Sequence, residues 1–168
     1  WALVNTDCDD TNKLINPGQT EICDALDVDE DCNGLADDDD AGVDAKTKTT
    51  FYADLDKDTY GDEDDAGTDY CDNPTTAAKS WSVDNTDCDD SVATTYPGAS
   101  ETTGDEVDSN CDGGEVCFVD ADDDGFAVSS GATVVSADSD CQDLGEASLS
   151  DGSGDCDDGE KTTYPGAT

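Results

Sequence analysis

Apolar residues in this chain come in short runs separated by long polar stretches. Phe51-Tyr52 and Cys117-Phe118-Val119 each lead into an Asp-rich loop, and brief runs bounded by turn-forming residues read as short strands. Lys79-Ser80-Trp81-Ser82-Val83 alternates polar with apolar side chains, the period of a strand covered on one face. Ala132 to Ala137 is expected to be extended as its counterpart. Tyr60 and Phe126 follow the last Asp of their loops and are expected to pack inward. Pro-Gly turns at Asn16 to Thr20, Tyr96 to Ser100 and Tyr164 to Thr168 punctuate the chain, and Asp39 to Thr50 reads as a surface loop. The pattern predicts a mainly irregular, small-β protein, extended in shape, with short strands and a thin core.

The turns recur because the chain repeats itself. Asn85-Thr86-Asp87-Cys88-Asp89-Asp90 reproduces residues 5–10, and Asp155-Cys156-Asp157-Asp158 returns near the end. Matching Trp1 to Trp81 divides the chain into repeats at 1–80 and 81–150, with the start of a third at 151–168. Each opening loop sets carboxylates at alternate positions: Asp7 and Asp9 with Asp10, Asp87 and Asp89 with Asp90, Asp155 and Asp157 with Asp158. Alternate side chains of extended backbone project to one side, where like charges repel unless a cation lies between them. Glu21 and Glu101 follow the first two Pro-Gly turns and have the reach to fold back as further ligands.

Two more acidic loops follow. Counting from Asp27, oxygen donors stand first, third, fifth and seventh (Asp27, Asp29, Asp31, Asn33), and Asp38 stands twelfth, which approximates an EF-hand loop. The glycine falls late and no amphipathic helix flanks the loop, so an EF-hand fold is not expected. The counterpart is Asp105, Asp108, Asn110 and Asp112. The third loop type is Asp54, Asp56 and Asp58, with Asp62 ninth and Asp65 twelfth. It returns as Asp120, Asp122 and Asp124, where Glu115 and Asp112 are the candidates to close the site. A hard cation with six to eight oxygen ligands suits such loops, and Ca²⁺ is the expected ion, about five to seven per chain at roughly one per loop.

Composition sharpens this. Of 168 residues, 46 are acidic and 6 basic, His is absent, and the formal net charge is -40. Low hydrophobicity with such a charge is the signature of disorder, but placed cysteines and copied motifs argue against it. A halophile's acidic surface would not require alternation. A nucleic-acid partner is excluded by charge, no stretch is apolar enough to span a membrane, and Met is absent. Without His, a Ser or Cys nucleophile beside a base, or a Gly-rich phosphate loop, no enzyme is expected. Thr75-Thr76 and the threonines before Phe51 are candidate sites for O-linked glycans.

Nine cysteines in a core-poor chain point to an oxidising compartment and structural disulfides, hence an extracellular or cell-surface protein. No CxxC pair supports zinc. Pairing neighbours gives two schemes. The preferred one is Cys23–Cys32, Cys71–Cys88, Cys111–Cys117 and Cys141–Cys156, leaving Cys8. The other is Cys8–Cys23, Cys32–Cys71, Cys88–Cys111 and Cys117–Cys141, leaving Cys156.

Taken together, Asp7 to Asp10, Pro17 to Asp24, Glu30 to Gly34 and Tyr52 to Asp62, with their recurrences at Asp87, Pro97, Asn110 and Phe118, resemble the MopE-type repeat family of secreted bacterial proteins. That family runs DCDD, PGAxExCDG, NDCDG and YxDxDGDGYGD, and is described as metal-binding. In style the chain is also similar to thrombospondin type 3 repeats. The chain departs from the pattern at Ala25, Thr59 and Thr103. The family name implies copper, but copper favours imidazole or thioether ligands and the chain has neither, so copper is not expected. The expected function is a secreted, calcium-binding structural protein, a cell-surface or filament component able to pair with itself head to tail. The alternative is a calcium-dependent adhesion or glycan-binding module with Trp1 and Trp81 as candidate platforms.

Overall fold

The computed structural model describes residues 7–167. Trp1 and the start of the first opening loop lie outside the described residues. The chain forms two compact units, Trp1–Asn85 and Thr86–Thr168, so the third opening loop packs with the second unit. Trp81 belongs to the first unit, where its strand is paired. No helix among the described residues is long and apolar enough to cross a membrane, and their one helical element is a 3₁₀ turn at Asp37–Asp39.

In the first unit, strand β1 (Thr49–Asp54) lies between β2 (Thr68–Tyr70) and β3 (Ser80–Ser82), antiparallel to both. The expected surface loop ends at β1, which begins before the apolar run. Trp81 meets Tyr70 edge-on at 5.6 Å, and the Lys79 ammonium covers its ring at 3.6 Å, so the ring is not an open platform. In the second unit, β4 (Val116–Asp120) lies between β6 (Thr133–Val135) and β7 (Gly145–Ala147), again antiparallel. A separate parallel pair joins β5 (Phe126–Val128) to β8 (Gly152–Asp155).

The buried apolar side chains among the described residues are few: Phe51, Cys117, Ala127, Cys141 and Ala147. The largest fully buried side chains are Glu21, Glu115, Asp87 and Asp155 with Cys117 and Cys141. The interior is thus built from carboxylates and sulfur, the reverse of the usual preference.

Four disulfides staple the units: Cys8–Cys32, Cys23–Cys71, Cys88–Cys111 and Cys117–Cys141, with Cys156 free and exposed. None of the preferred pairs forms. The second scheme holds for Cys88–Cys111, Cys117–Cys141 and the odd Cys156, and fails in the first unit. Nearest-neighbour pairing fails because each opening loop folds onto the second acidic loop, which brings Cys8 to Cys32 and Cys88 to Cys111. Cys23 is thereby freed to tie its turn to the end of β2.

Candidate metal centres

The opening loops share one geometry. The first Asp turns Oδ1 back to the amide two residues on: Asp9 N–H donates to Asp7 at 3.0 Å, Asp89 N–H to Asp87 at 2.9 Å, and Asp157 N–H to Asp155 at 3.1 Å. These Asx turns fix the loop and leave the second carboxylate oxygen pointing elsewhere. Asp10, Asp89 and Asp157 are exposed, whereas Asp87, Asp90 and Asp155 are buried.

In the first unit, Glu21, Asp31 and Asp40 bring one carboxylate oxygen each within 4.8 Å of the others. Glu21 is 1% exposed. Its Oε2 accepts from the amides of Glu30 at 3.0 Å and Asp31 at 3.4 Å, while Oε1 is buried with no hydrogen bond. Asn33 Nδ2 donates to Asp40 Oδ2 at 2.6 Å and orients it. Glu30 sits alongside; burial raises its pKa and the Glu21 charge adds to this, against the Ile22 amide that lowers it. A second group joins Asp27, Asp37 and Asp72. Burial raises the pKa of Asp37, partly offset by the Asp24 amide. Asp37 also lies against Cys23 and Cys71, but those sulfurs are spent in a disulfide.

The EF-hand-like spacing does not survive folding. Its residues are split between two groups: Asp31 joins Glu21, and Asp27 joins Asp37. Asp29 caps the amides of Asn33 and Gly34 at 3.0 and 2.8 Å. Asp38 bonds Lys48 at 2.8 Å and the Cys71 amide at 2.8 Å. The third loop also departs from its count. Asp65 clasps the amides of Ala53 at 2.7 Å and Gly67 at 3.1 Å, and Asp62 Oδ1 accepts from Asp64. Asp54, Asp56 and Asp58 stay on one loop, held by the amides of Lys57, Asp58 and Tyr60.

In the second unit, Glu101 receives the Asn110 amide at 2.7 Å, as Glu21 does that of Asp31. Glu115 is 1% exposed with Oε2 unbonded. Burial raises its pKa, the Val116 amide opposes this, and the charges of Glu101 and Asp105 raise it further. Glu115 therefore belongs with Glu101 and does not close the Asp120 loop. Asp112 Oδ1 accepts from the Gly114 amide at 2.9 Å. Asp108 caps Asp112 and Gly113 just as Asp29 caps its own turn. Asp120 caps the amides of Asp124 and Gly125. The carboxylates that come to this loop are Asp155 and Asp158, from the third opening loop.

Sequence reasoning missed Asp72, after Cys71, and Asp37 and Asp40, which lie in a run of four Asp after the glycine. The signal for Asp37 and Asp40 was the run itself, which exceeds what any twelve-residue loop needs. What the clusters offer chemically is oxygen alone: buried carboxylate oxygens without a donor, close enough to share an ion.

Three segments of the chain, residues 7–38, 87–115 and 155–168, match the model of the Cu-binding MopE family, described as "Putative metal-binding motif"; together they make up just under half of the chain. No curated protein and no solved structure matches it. The match corrects the expected ion. The family is named for copper and points to copper rather than Ca²⁺, so neither calcium as the bound ion nor the exclusion of copper stands. The exclusion leaned on missing imidazole and thioether. Copper(II) also accepts oxygen donors, and it heads the affinity order of divalent first-row metals at a given site. The unbonded buried oxygens fit a divalent cation of this kind.

Proposed function

The chain is an Asp/Cys-rich repeat protein that carries the Cu-binding MopE motif in three segments, and from that premise we propose a secreted structural metalloprotein. Its paired acidic loops fold around divalent cations, and the bound ions take the place of the apolar core it lacks. The observation that carries this reading is the set of buried carboxylate oxygens without a hydrogen bond: Glu21 Oε1, Asp37 Oδ2, Glu101 Oε2, Glu115 Oε2 and others. Two carboxylates at 4.8 Å repel by about 3 kcal/mol at an effective dielectric constant of ~20. Several such pairs in one small unit rival the whole stability of a domain, roughly 5–15 kcal/mol. Protons or cations must therefore enter, and at neutral pH a cation is the stronger candidate.

Four disulfides accord with export to an oxidising compartment. We assign the protein a scaffold role at the cell surface or in an extracellular filament, and no catalysis. Self-association would need bound ions to offset the net charge of -40.

The test is a titration of metal-free protein, Cys156→Ser to remove the free thiol, with Cu²⁺, and with Mn²⁺ and Ca²⁺ as comparators. Heat of binding and a rise in melting temperature are expected with at least one ion, with copper tested first. A melt that no ion moves would overturn the reading.

A further inference from the structure

Residues 152–164 lie on the Asp120 loop of the second unit through contacts of four kinds. Strand β8 pairs in parallel with β5. Ala121 N–H donates to Asp158 Oδ1 at 2.9 Å. The Lys161 ammonium donates to the Asp123 carbonyl at 3.2 Å and sits 3.7 Å from its carboxylate. Tyr164 stacks on Phe126, with centroids 5.1 Å apart and planes 11° from parallel. Gly152 passes so close to the Phe126 ring that a Cβ there would come within 2.1 Å of it. The segment is seated, not merely adjacent.

Its seat has an unexplained polar centre. Asp122 is 7% exposed and Asp155 1%. Both oxygens of Asp122, Oδ2 of Asp124 and Oδ2 of Asp155 are buried with no hydrogen bond. Asp120, Asp124, Asp155 and Asp158 all bear on Asp122 electrostatically. Lys161 is the cation nearby, and it is spent on Asp123 at the rim. Burying unpaired carboxylates this way is costly unless a counter-charge enters. No polar hydrogen reaches Asp122, so the side chain is placed for a ligand that brings only positive charge.

We propose that Asp122, Asp124, Asp155 and Asp158 form one composite site for a divalent cation, and that the ion acts as a latch holding the third opening loop on the second unit. The ligands come from two stretches about thirty residues apart, and the family motif covers only the later one. The Asp120 loop supplies Asp122 and Asp124 from one turn that Asp120 braces through the amides of Asp124 and Gly125, an oxygen donor set suited to a hard cation, and the incoming loop supplies the closing pair. The site rests on the metal-binding reading above and adds to it: this ion orders a segment, where the others fill a unit's interior.

The experiment compares wild type with Asp122→Asn, both carrying Cys156→Ser, using Mn²⁺ alone and then Cu²⁺ alone. Bound ions are counted by equilibrium dialysis, and hydrogen exchange is read across residues 121–128 and 152–158. Wild type should gain protection in both stretches on binding metal. Asp122→Asn should bind one ion fewer per chain and lose that protection, while residues 101–115 are still protected by metal. Because the substitution relieves repulsion, the metal-free variant should melt no lower than metal-free wild type, which a purely structural role for Asp122 would not give. An unchanged ion count in the variant overturns the latch alone. Absence of any bound ion in wild type overturns the metal-binding reading and the latch with it.

Discussion

The two units are the same device built twice with different fillings. Each folds its opening loop onto its second acidic loop and pins the contact with one disulfide, Cys8–Cys32 or Cys88–Cys111. Each twists its backbone to positive φ at matching places: Asp27 and Glu106, Cys32 and Cys111, Lys57 and Asp123, Thr59 and Gly125. Each then makes its own choice of interior. Phe51 is buried on β1, whereas β4 places Cys117 at the matching position and bonds it to Cys141. The first unit instead carries Cys23–Cys71, and Thr103 stands where the second would need a cysteine. The oxygen-bearing loops and the staple between them persist while strand packing and the second staple vary. In a protein with so small a buried apolar core, the loops are the framework and the strands are the filling.

Removing a staple should cost either unit the most. Chain entropy makes a disulfide worth more when it closes a longer loop. Cys23–Cys71 spans 48 residues and Cys117–Cys141 spans 24. The same model gives about 4 kcal/mol for the first and about 3.5 kcal/mol for the second. Paired Cys→Ala variants melted in urea with metal present should show both losses, with the first unit hit slightly harder. Equal losses would mean that strain or residual structure, not loop length, sets their worth.

Metal removal comes next. An ion at a hundred times its Kd stabilises the folded chain by about 2.7 kcal/mol per site. Glu21→Gln and Glu115→Gln should each lose about that much metal-dependent stabilisation, read as the difference between melts with and without ion. If Glu115 serves only to pair with the Val116 amide, its variant will leave the difference untouched.

Acidity works on the metal-free and metal-loaded forms with opposite sign. Burial holds the carboxyls of Glu30, Asp37 and Glu115 above their ordinary range. The folded chain then keeps protons that the unfolded chain releases. Metal-free protein should therefore gain stability as pH falls from neutral through those raised values, until the unfolded carboxyls also protonate. Asp65, held low first by the Ala53 amide and then by that of Gly67, opposes this and loses its contribution as pH falls through its lowered value. The metal-loaded protein should only weaken as protons displace the ion. Melts of both forms from neutral to mildly acidic pH test the crossing, and parallel curves would deny that the buried carboxylates are the ligands.

Much of this was legible in the sequence, though unevenly. The repeat, the opening loops and the strands around Phe51, Trp81, Phe118 and Val134 follow from local pattern, which strands and Asx turns obey. Ligand sets and disulfides do not, because spacing along the chain says nothing of which loops fold together. Asp38 and Asp65 stood at the correct counts for ligands and were taken by nearer donors, Lys48 and the Ala53 amide. Asp40 stood outside any count, and Asp155, expected in its own opening loop, was brought by the fold to the Asp120 loop. A carboxylate serves the closest donor it meets, and only three-dimensional proximity tells which that is.

Thr59 offers a smaller contrast. It holds φ at 93° where the second unit has Gly125 at 86°. A β-branched residue there is strained, and glycine reaches that region freely. Thr59→Gly should stabilise the first unit by about 1 kcal/mol, less than the full strain because the unfolded chain gains freedom. A loss of stability would mean that the Thr59 side chain earns its place by contacts.

The finest contrast is a swap. Asp31 and Asn33 in the first unit stand where Asn110 and Asp112 stand in the second, so each loop keeps one charge but places it differently. The turns do not notice: Asn33 N–H reaches Asp31 Oδ1 at 3.0 Å, and Asp112 N–H reaches Asn110 Oδ1 at 2.9 Å. Exchanging the pair in the first unit, Asp31→Asn with Asn33→Asp, preserves net charge and those bonds. It removes Asp31 from its group with Glu21 and Asp40, and it replaces the amide that donates to Asp40 with a second carboxylate. Metal-free stability should fall by about 1 kcal/mol, since buried Asp40 loses its amide donor and meets a carboxylate in its place. Metal affinity should fall measurably in the first unit while the second is unaffected. Equal affinity before and after would mean that the loop needs one charge anywhere on the turn, and the named ligand Asp31 would give way to the turn as a whole.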